Sequence, residues 1–263
     1  MARFTTLYSG SSGNCAVLEE AGRFLLIDMG KSCRQTAAAL QALGLAPSGL
    51  AGILLTHEHA DHVAGLRVFL KKWNVPVYGC AASLDYLAGH GLVPPGAQLE
   101  DADGRALDIA GFQVESFATS HDSAACCGYR VTAPAGGTLA IATDLGYVSD
   151  EVMANLYCAD VVALESNYDR YMLMQGPYPA YLKYRIDSSR GHLCNDDCAQ
   201  TVARLAQNGC EKFVLCHLSQ ENNEPALALG SARLALEEAG VAPSQTAVLR
   251  AASRHAADEW LTV

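Results

Sequence analysis

Short runs of apolar residues recur along the chain and alternate with stretches in which apolar positions fall three and four apart. That pattern predicts strands and helices interleaved from end to end, hence an α/β protein. The first strands read RFTTLY (residues 3–8), NCAVLE (14–19) and RFLLID (23–28), with the turn-rich SGSSG between the first two. A helix follows over 33–43, so the chain opens on a strand meander, unlike a dinucleotide-binding βαβ unit. GILLTH (52–57) is a strand, and Leu66, Phe69, Leu70 and Trp73 take helical spacing over 61–73. Further strands are expected at RALDIA, FQVESFAT, GYRVTA, TLAIAT, VVALES and KFVLCH, and helices over 149–157, 195–208 and 227–239, the last stopped by Gly240. No linker, short repeat or low-complexity segment interrupts the pattern, so residues 1–263 are read as one domain.

Half of the 263 residues are apolar, which excludes disorder, and only 17% are charged against roughly 25% in an ordinary domain. The net charge of −10 excludes attraction of a polyanion by overall charge, so any nucleic acid has to be held locally. No apolar run reaches the roughly 18 residues of a membrane span, and the first ten residues lack a signal-peptide core. We therefore expect a cytoplasmic protein without a membrane partner. The ten cysteines contain no CxxC pair and read as reduced thiols filling small apolar sites, with a redox or metal role open for Cys126 and Cys127 and for Cys194 and Cys198.

The chemistry-bearing residues sit where strands end. GILL runs into His57, Glu58, His59, Asp61 and His62; FQVESFATS ends at His121, TLAIAT at Asp144 and KFVLC at His217. Loops at the carboxyl ends of strands are where α/β folds assemble sites, so these residues are expected to converge. Imidazoles with carboxylates suit borderline divalent ions, and the donors suffice for two. Zinc, manganese and iron all accept such donors. Residues two apart on an extended segment face one side, so His57 and His59 can share one ion while Asp61 and His62 turn toward another. Taken singly, His121, Asp144 and His217 are ordinary loop residues; their common placement makes them candidates. His90 and His255 lack it and read as surface residues.

THEHADH, preceded by the strand-end Asp28 and followed in order by His121, Asp144 and His217, resembles the metal-binding series of the metallo-β-lactamase superfamily over nearly the whole chain. The resemblance implies a four-layer αββα sandwich with His57, His59 and His121 on one ion, Asp61, His62 and His217 on a second, Asp144 bridging and Asp28 organising them. True β-lactamases carry cysteine where Asp144 stands, which disfavours antibiotic hydrolysis. SGSSGN, SHDSAACCGYR, TDLGYVSD, LESNYD, GPYP, RGHLCNDD and CHLSQENN together resemble the YycJ/WalJ-like group of exonucleases. That implies a metal-dependent nuclease degrading DNA, 5′ to 3′, in repair. GHL followed by a helix and a strand ending in HLS is also similar to the tRNA 3′-processing endonucleases, which points to His192 in phosphodiester cleavage. Departures from the group's pattern are Cys126 and Cys127, Cys194 in a serine position, and Tyr168 where histidine is common.

Two neighbouring cations can hold a bridging hydroxide and screen a phosphodiester under attack. Asp61 is a candidate to orient the hydroxide and take its proton, and His192 to support the leaving oxygen. SGSSGN reads as a hairpin turn or an anion-binding nest, with Ser12 and Asn14 as cleft candidates; Glu165 and Asn167 are candidates to support the site. From residue 168 to 190, Tyr168, Tyr171, Tyr178, Tyr181 and Tyr184 alternate with Arg170, Lys183, Arg185 and Arg190. Tyr178, Lys183 and Arg185 would then contact nucleic acid; a proline-kinked lid or a contact between copies in a homo-oligomer reads equally well. The alternatives are a small-molecule hydrolase on the same ions (thioesterase, lactonase or cyclic-nucleotide phosphodiesterase) and a binding protein whose metals are structural.

Overall fold

A computed structural model describes residues 1–242 and 245–263. The opening meander is β1 (Arg3–Tyr8), β2 (Cys15–Glu20) and β3 (Arg23–Ile27), paired antiparallel in that order. Helix α1 (Cys33–Ala42) leads to β4 (Leu50–Leu54), which pairs parallel with β3. Then come α2 (Ala60–Val63), α3 (Leu66–Lys72), β5 (Val77–Gly79), α4 (Ala81–Gly89) and β6 (Leu99–Asp101). The second half runs β7 (Ala106–Ile109), β8 (Phe112–Ala118), β9 (Cys127–Thr132), β10 (Thr138–Ala142), α5 (Asp150–Leu156), β11 (Val161–Glu165), α6 (Arg170–Gln175), α7 (Ala180–Ile186), α8 (Asn195–Gln207), β12 (Lys212–Cys216), α9 (Pro225–Glu238), β13 (Val248–Ala251) and β14 (Leu261–Thr262).

These strands form two seven-stranded sheets, ordered β14-β1-β2-β3-β4-β5-β6 and β13-β12-β11-β10-β9-β8-β7. Their inner faces share one core in which Phe4, Leu18, Leu25 and Leu54 of the first sheet meet Phe112, Tyr129, Leu139 and Ile141 of the second. Side chains alternate along a strand, so Ala140, Ala142, Val162 and Leu164 point the other way and pack on Val152, Leu156, Val202 and Leu205 of α5 and α8. On the far side, Val17, Leu26 and Ile53 pack on Leu40, Leu66, Phe69 and Leu84 of α1, α3 and α4. The result is the four-layer αββα sandwich. Central strands covered on both faces read as continuous apolar runs, which is why TLAIA and VVALE stand out in the sequence.

The helix expected over 61–73 is two helices. The chain bends at Gly65, whose amide donates to Met29 O and where a Cβ would come within 2.1 Å of Lys31 O. Strands β5, β6, β13 and β14 and helices α4, α6 and α7 carry no clear sequence signal. They are short, and β14 owes its place to pairing with β1 at the opposite end of the chain.

Candidate metal centre

Strands β3, β4, β8, β10, β11 and β12 all end at one edge of the sandwich. Asp28 directly follows β3, His57, His59, Asp61 and His62 follow β4, His121 follows β8, Asp144 follows β10, Glu165 closes β11 and His217 directly follows β12. Three of these residues take left-handed backbone: Asp28 (φ 61°), Asp144 (φ 57°) and His217 (φ 56°). Left-handed backbone is strained for a side-chain-bearing residue and persists where the surroundings impose it, often at functional sites. Here it turns the chain as it leaves the strand and brings three side chains inward.

Two of the donor groups are the triads His57 with His59 and His121, and Asp61 with His62 and His217; two more join Asp144 to His57 and His62, and to Glu165, His192 and His217, and in each group the donor atoms lie within 4.8 Å of one another. Asp144 stands between the two triads. Its Oδ1 is 3.7 Å from His121 Nε2 and its Oδ2 is 3.3 Å from His62 Nε2. Four imidazoles are oriented through Nδ1, which leaves Nε2 for the centre. His62 Nδ1 donates to Asp28 Oδ2 at 2.7 Å, His121 Nδ1 to Gly191 O at 2.9 Å and His217 Nδ1 to Glu165 Oε1 at 2.9 Å, while His57 Nδ1 meets Thr56 Oγ1 at 3.1 Å. Asp28 is itself held by the Thr56 amide and hydroxyl, both at 2.9 Å. His57 Nε2 and Asp144 Oδ2 are buried without a hydrogen-bond partner. Orphaned buried polar atoms are costly, and a divalent cation satisfies both. The donor set, imidazole and carboxylate without thiolate, fits such ions.

Charge coupling is strong. Burial works against a proton on His62, but Asp28 and Asp144 outweigh it and lift the pKa to about 10. Burial favours the neutral carboxyl of Asp144, yet His217, His62 and His57 hold it well below the usual range. His57 is pushed down by burial and by its imidazole neighbours. The centre thus gathers carboxylates that demand positive charge and histidines too crowded to supply all of it as protons.

His192 lies beside the triads, with Nδ1 2.8 Å from Glu165 Oε1 and 3.6 Å from Asp144 Oδ1. Burial lowers its proton affinity, and Glu165 more than restores it, so the pKa rises. Glu165 is fully buried and also accepts from the Leu145 and Leu193 amides. Asn167 is buried beside His217, its Nδ2 donating to the His217 carbonyl at 2.8 Å and lying 3.1 Å from His217 Nδ1. Asn14 closes the β1–β2 turn by accepting from the Gly10 amide and approaches His62 Nε2 at 3.1 Å. That turn packs on Gly30, where a Cβ would collide with Asp61 O. Ser12 is exposed, accepts from Lys31 Nζ, and with Tyr178 lines a cleft of about 210 Å³.

The tyrosine-rich stretch divides. Tyr168 is buried with its hydroxyl on Asp187, so it is unavailable for stacking on a base, whereas Tyr171, Tyr181 and Tyr184 are exposed. Its cations have protein partners. Lys183 Nζ donates to Met174 O and Arg185 Nε to Asp122 Oδ2; Arg170 pairs with Asp187 and Asp197, and Arg190 reaches His121 O. The same stretch carries two short helices, α6 and α7. Thr56, Asp122 and Gly191 were not singled out from the sequence, although each is contiguous with a motif that was: Thr56 precedes His57, Asp122 follows His121 and Gly191 precedes His192. Asp122 Oδ1 lies 3.4 Å from His121 Nε2. All ten cysteines are free; Cys126 and Cys127 are buried, and Cys194 Sγ caps α8 by accepting from the Asp197 amide. No cysteine belongs to a donor group among the described residues. His90 and His255 are exposed.

A sandwich with this imidazole and carboxylate edge defines a class of metal-dependent hydrolases, and residues 23–218 match the family described as "Beta-lactamase superfamily domain". The chain belongs to that superfamily and, within it, to the family of the YycJ and WalJ exodeoxyribonucleases. It is 36% identical over 240 residues to exodeoxyribonuclease YycJ of Bacillus anthracis, covering 90% of each chain. Exodeoxyribonuclease WalJ of Streptococcus pneumoniae serotype 2 (strain D39) is 34% identical over 229 residues, covering 86% of this chain and 85% of that one. Among solved structures, the metallo-β-lactamase fold protein YhfI from Bacillus subtilis has a TM-score of 0.70 at 16% identity over 98% of both chains, a likeness of fold. No helix among the described residues is long and apolar enough to cross a membrane.

Asp28→Asn should lower affinity for divalent ions by about 10–100-fold, the usual cost of losing a carboxylate behind a ligating histidine. Asparagine tolerates the left-handed backbone, so chelator competition reads the charge alone. An unchanged affinity would remove Asp28 from the organisation of His62.

Proposed function

We propose that the protein is a cytosolic exonuclease that degrades DNA in the 5′ to 3′ direction and acts in repair, using two divalent ions, zinc or manganese. The observation that carries this reading is the pair of donor triads with Asp144 between them, its Oδ1 3.7 Å from both His121 Nε2 and His217 Nδ1 and its Oδ2 3.3 Å from His62 Nε2. His57, His59 and His121 would hold one ion, Asp61, His62 and His217 the other, and Asp144 both. Ions so held supply a nucleophile at neutral pH and screen the charge of a phosphodiester.

The protein's own groups do the rest. Asp61 is less buried than its neighbours, and its Oδ2 lies 3.3 Å from His217 Nε2 and 3.6 Å from His62 Nε2. A carboxylate placed there can accept a proton at the open side of the centre. His192, with Nδ1 committed to Glu165, has only Nε2 left to donate to a phosphate or leaving oxygen. Two relatives matched over most of their length are named exodeoxyribonucleases, which supports DNA as the substrate and an end as the point of attack.

Metal-replete protein should shorten single-stranded DNA from its 5′ end, as read with label placed at either terminus, and hydrolyse a chromogenic phosphodiester more slowly. Thioester turnover without DNA cleavage would overturn the proposal.

A further inference from the structure

Beside the first triad, a groove of about 810 Å³ opens between α2 and α3 on one side and α4 on the other. Glu58, His59 and Asp122 form its inner end, so it is continuous with the metal centre. We infer that this groove seats the nucleoside adjoining the scissile phosphate, with Tyr86 and His90 as the stacking platform and Arg67 as the cation beside it. The inference rests on the phosphodiesterase reading above and deepens it.

Three observations carry it. The rings of Tyr86 and His90 lie parallel, 3.9 Å apart with 20° between their planes, and His90 Nδ1 bonds Tyr86 O at 2.9 Å. Both side chains are exposed and line the groove, and their mutual stacking lowers the entropic cost of offering an aromatic surface there. The charges there are selectively quenched. Glu58 is occupied by the Ser83 hydroxyl and the Ala124 amide, and Asp122 by Arg185, whereas Arg67 is exposed and has no carboxylate partner among the described residues. An acidic protein thus shows a free cation and a stacking surface at the mouth of its metal centre. Finally, the volume falls within the range of about 300–1,000 Å³ that small-molecule sites occupy. Stacking is tolerant of base identity, so such a seat suits an enzyme that removes nucleotides irrespective of sequence.

The test uses the full metal-loaded chain with Tyr86→Ala, Arg67→Ala and the conservative Tyr86→Phe. On single-stranded DNA, Tyr86→Ala and Arg67→Ala should each raise KM about five- to tenfold, the scale of one lost stack or phosphate contact, and this loss should exceed by at least fivefold any loss on a small chromogenic phosphodiester. Tyr86→Phe should retain the wild-type KM. Calorimetric binding of a deoxynucleoside 5′-monophosphate should weaken in the same order. Equal KM and equal nucleotide affinity in Tyr86→Ala would overturn the groove assignment even if the wild type cleaves DNA. A wild type that leaves DNA intact would sink the nuclease reading, while the nucleotide titration would still decide the groove.

Discussion

Replacing His192 by alanine should lower turnover of DNA by about 10²–10⁴-fold, the usual contribution of a positioned proton donor, while bound metal stays at the wild-type level. The separation follows from where the side chain stands. His192 is in neither of the two triads, although it shares a donor group with Asp144, Glu165 and His217, and its Nδ1 is tied to a carboxylate that is itself fully buried and accepts from two backbone amides. Removing the imidazole leaves Glu165 on His217 and leaves every other orienting bond of the centre in place. Glu165 raises the His192 pKa against the effect of burial, and its hold on Nδ1 leaves Nε2 as the ring nitrogen that can face a substrate. Steady-state kinetics paired with elemental analysis separate the roles: lost activity with retained metal identifies a donor, lost activity with lost metal identifies a ligand, and retained activity removes His192 from the chemistry.

Stripping the ions with a chelator should abolish hydrolysis and lower the melting temperature by about 10 °C. Ligands bound to the folded state alone at 100- to 1,000-fold over Kd stabilise it by roughly 3–4 kcal/mol, and each kcal/mol moves a chain of this size by about 2–4 °C. The physical source is visible in the centre. Without cations, His57 Nε2 is buried and unpartnered, Asp144 Oδ2 has only His62 Nε2 at 3.3 Å, and Asp28, Asp144 and Glu165 crowd a space that protonated histidines must neutralise. Scanning calorimetry before and after chelation, followed by restoration with zinc or manganese, reads both effects and ranks the two metals. An identical melting curve and undiminished activity after verified metal removal would contradict the proposed centre.

The parts of the site legible in the sequence were those written locally. THEHADH places four donors in six residues after an apolar strand, and that density stands out without any knowledge of what the strand packs against. His121, Asp144 and His217 became legible through the strands that precede them. Strands buried on both faces are unbroken apolar runs, so their ends are sharply marked. Groups that act by touching something distant in sequence were illegible. Thr56 matters because Asp28 reaches it, and Gly191 because its carbonyl orients His121. The basic stretch illustrates the same limit in reverse: Lys183 and Arg185 read as free cations until their partners, Met174 O and Asp122, are known. Tyr168 read as a stacking surface and proved to be interior.

Chain order alone dictated the interleaved α/β architecture and pointed to the candidate donors, because hydrophobic period and ligand chemistry belong to neighbouring residues and survive without a fold. The folded molecule decided which groups hold Nδ1 of His57, His62, His121 and His217, and which charges stay free for a substrate. It also decided that α4, an unmarked helix, stands across from α2 and α3 and makes a groove of Tyr86, His90 and Arg67. These outcomes depend on left-handed turns imposed at three strand ends and on contacts between segments dozens of residues apart, and a pairwise contact has no local pattern from which it can be read.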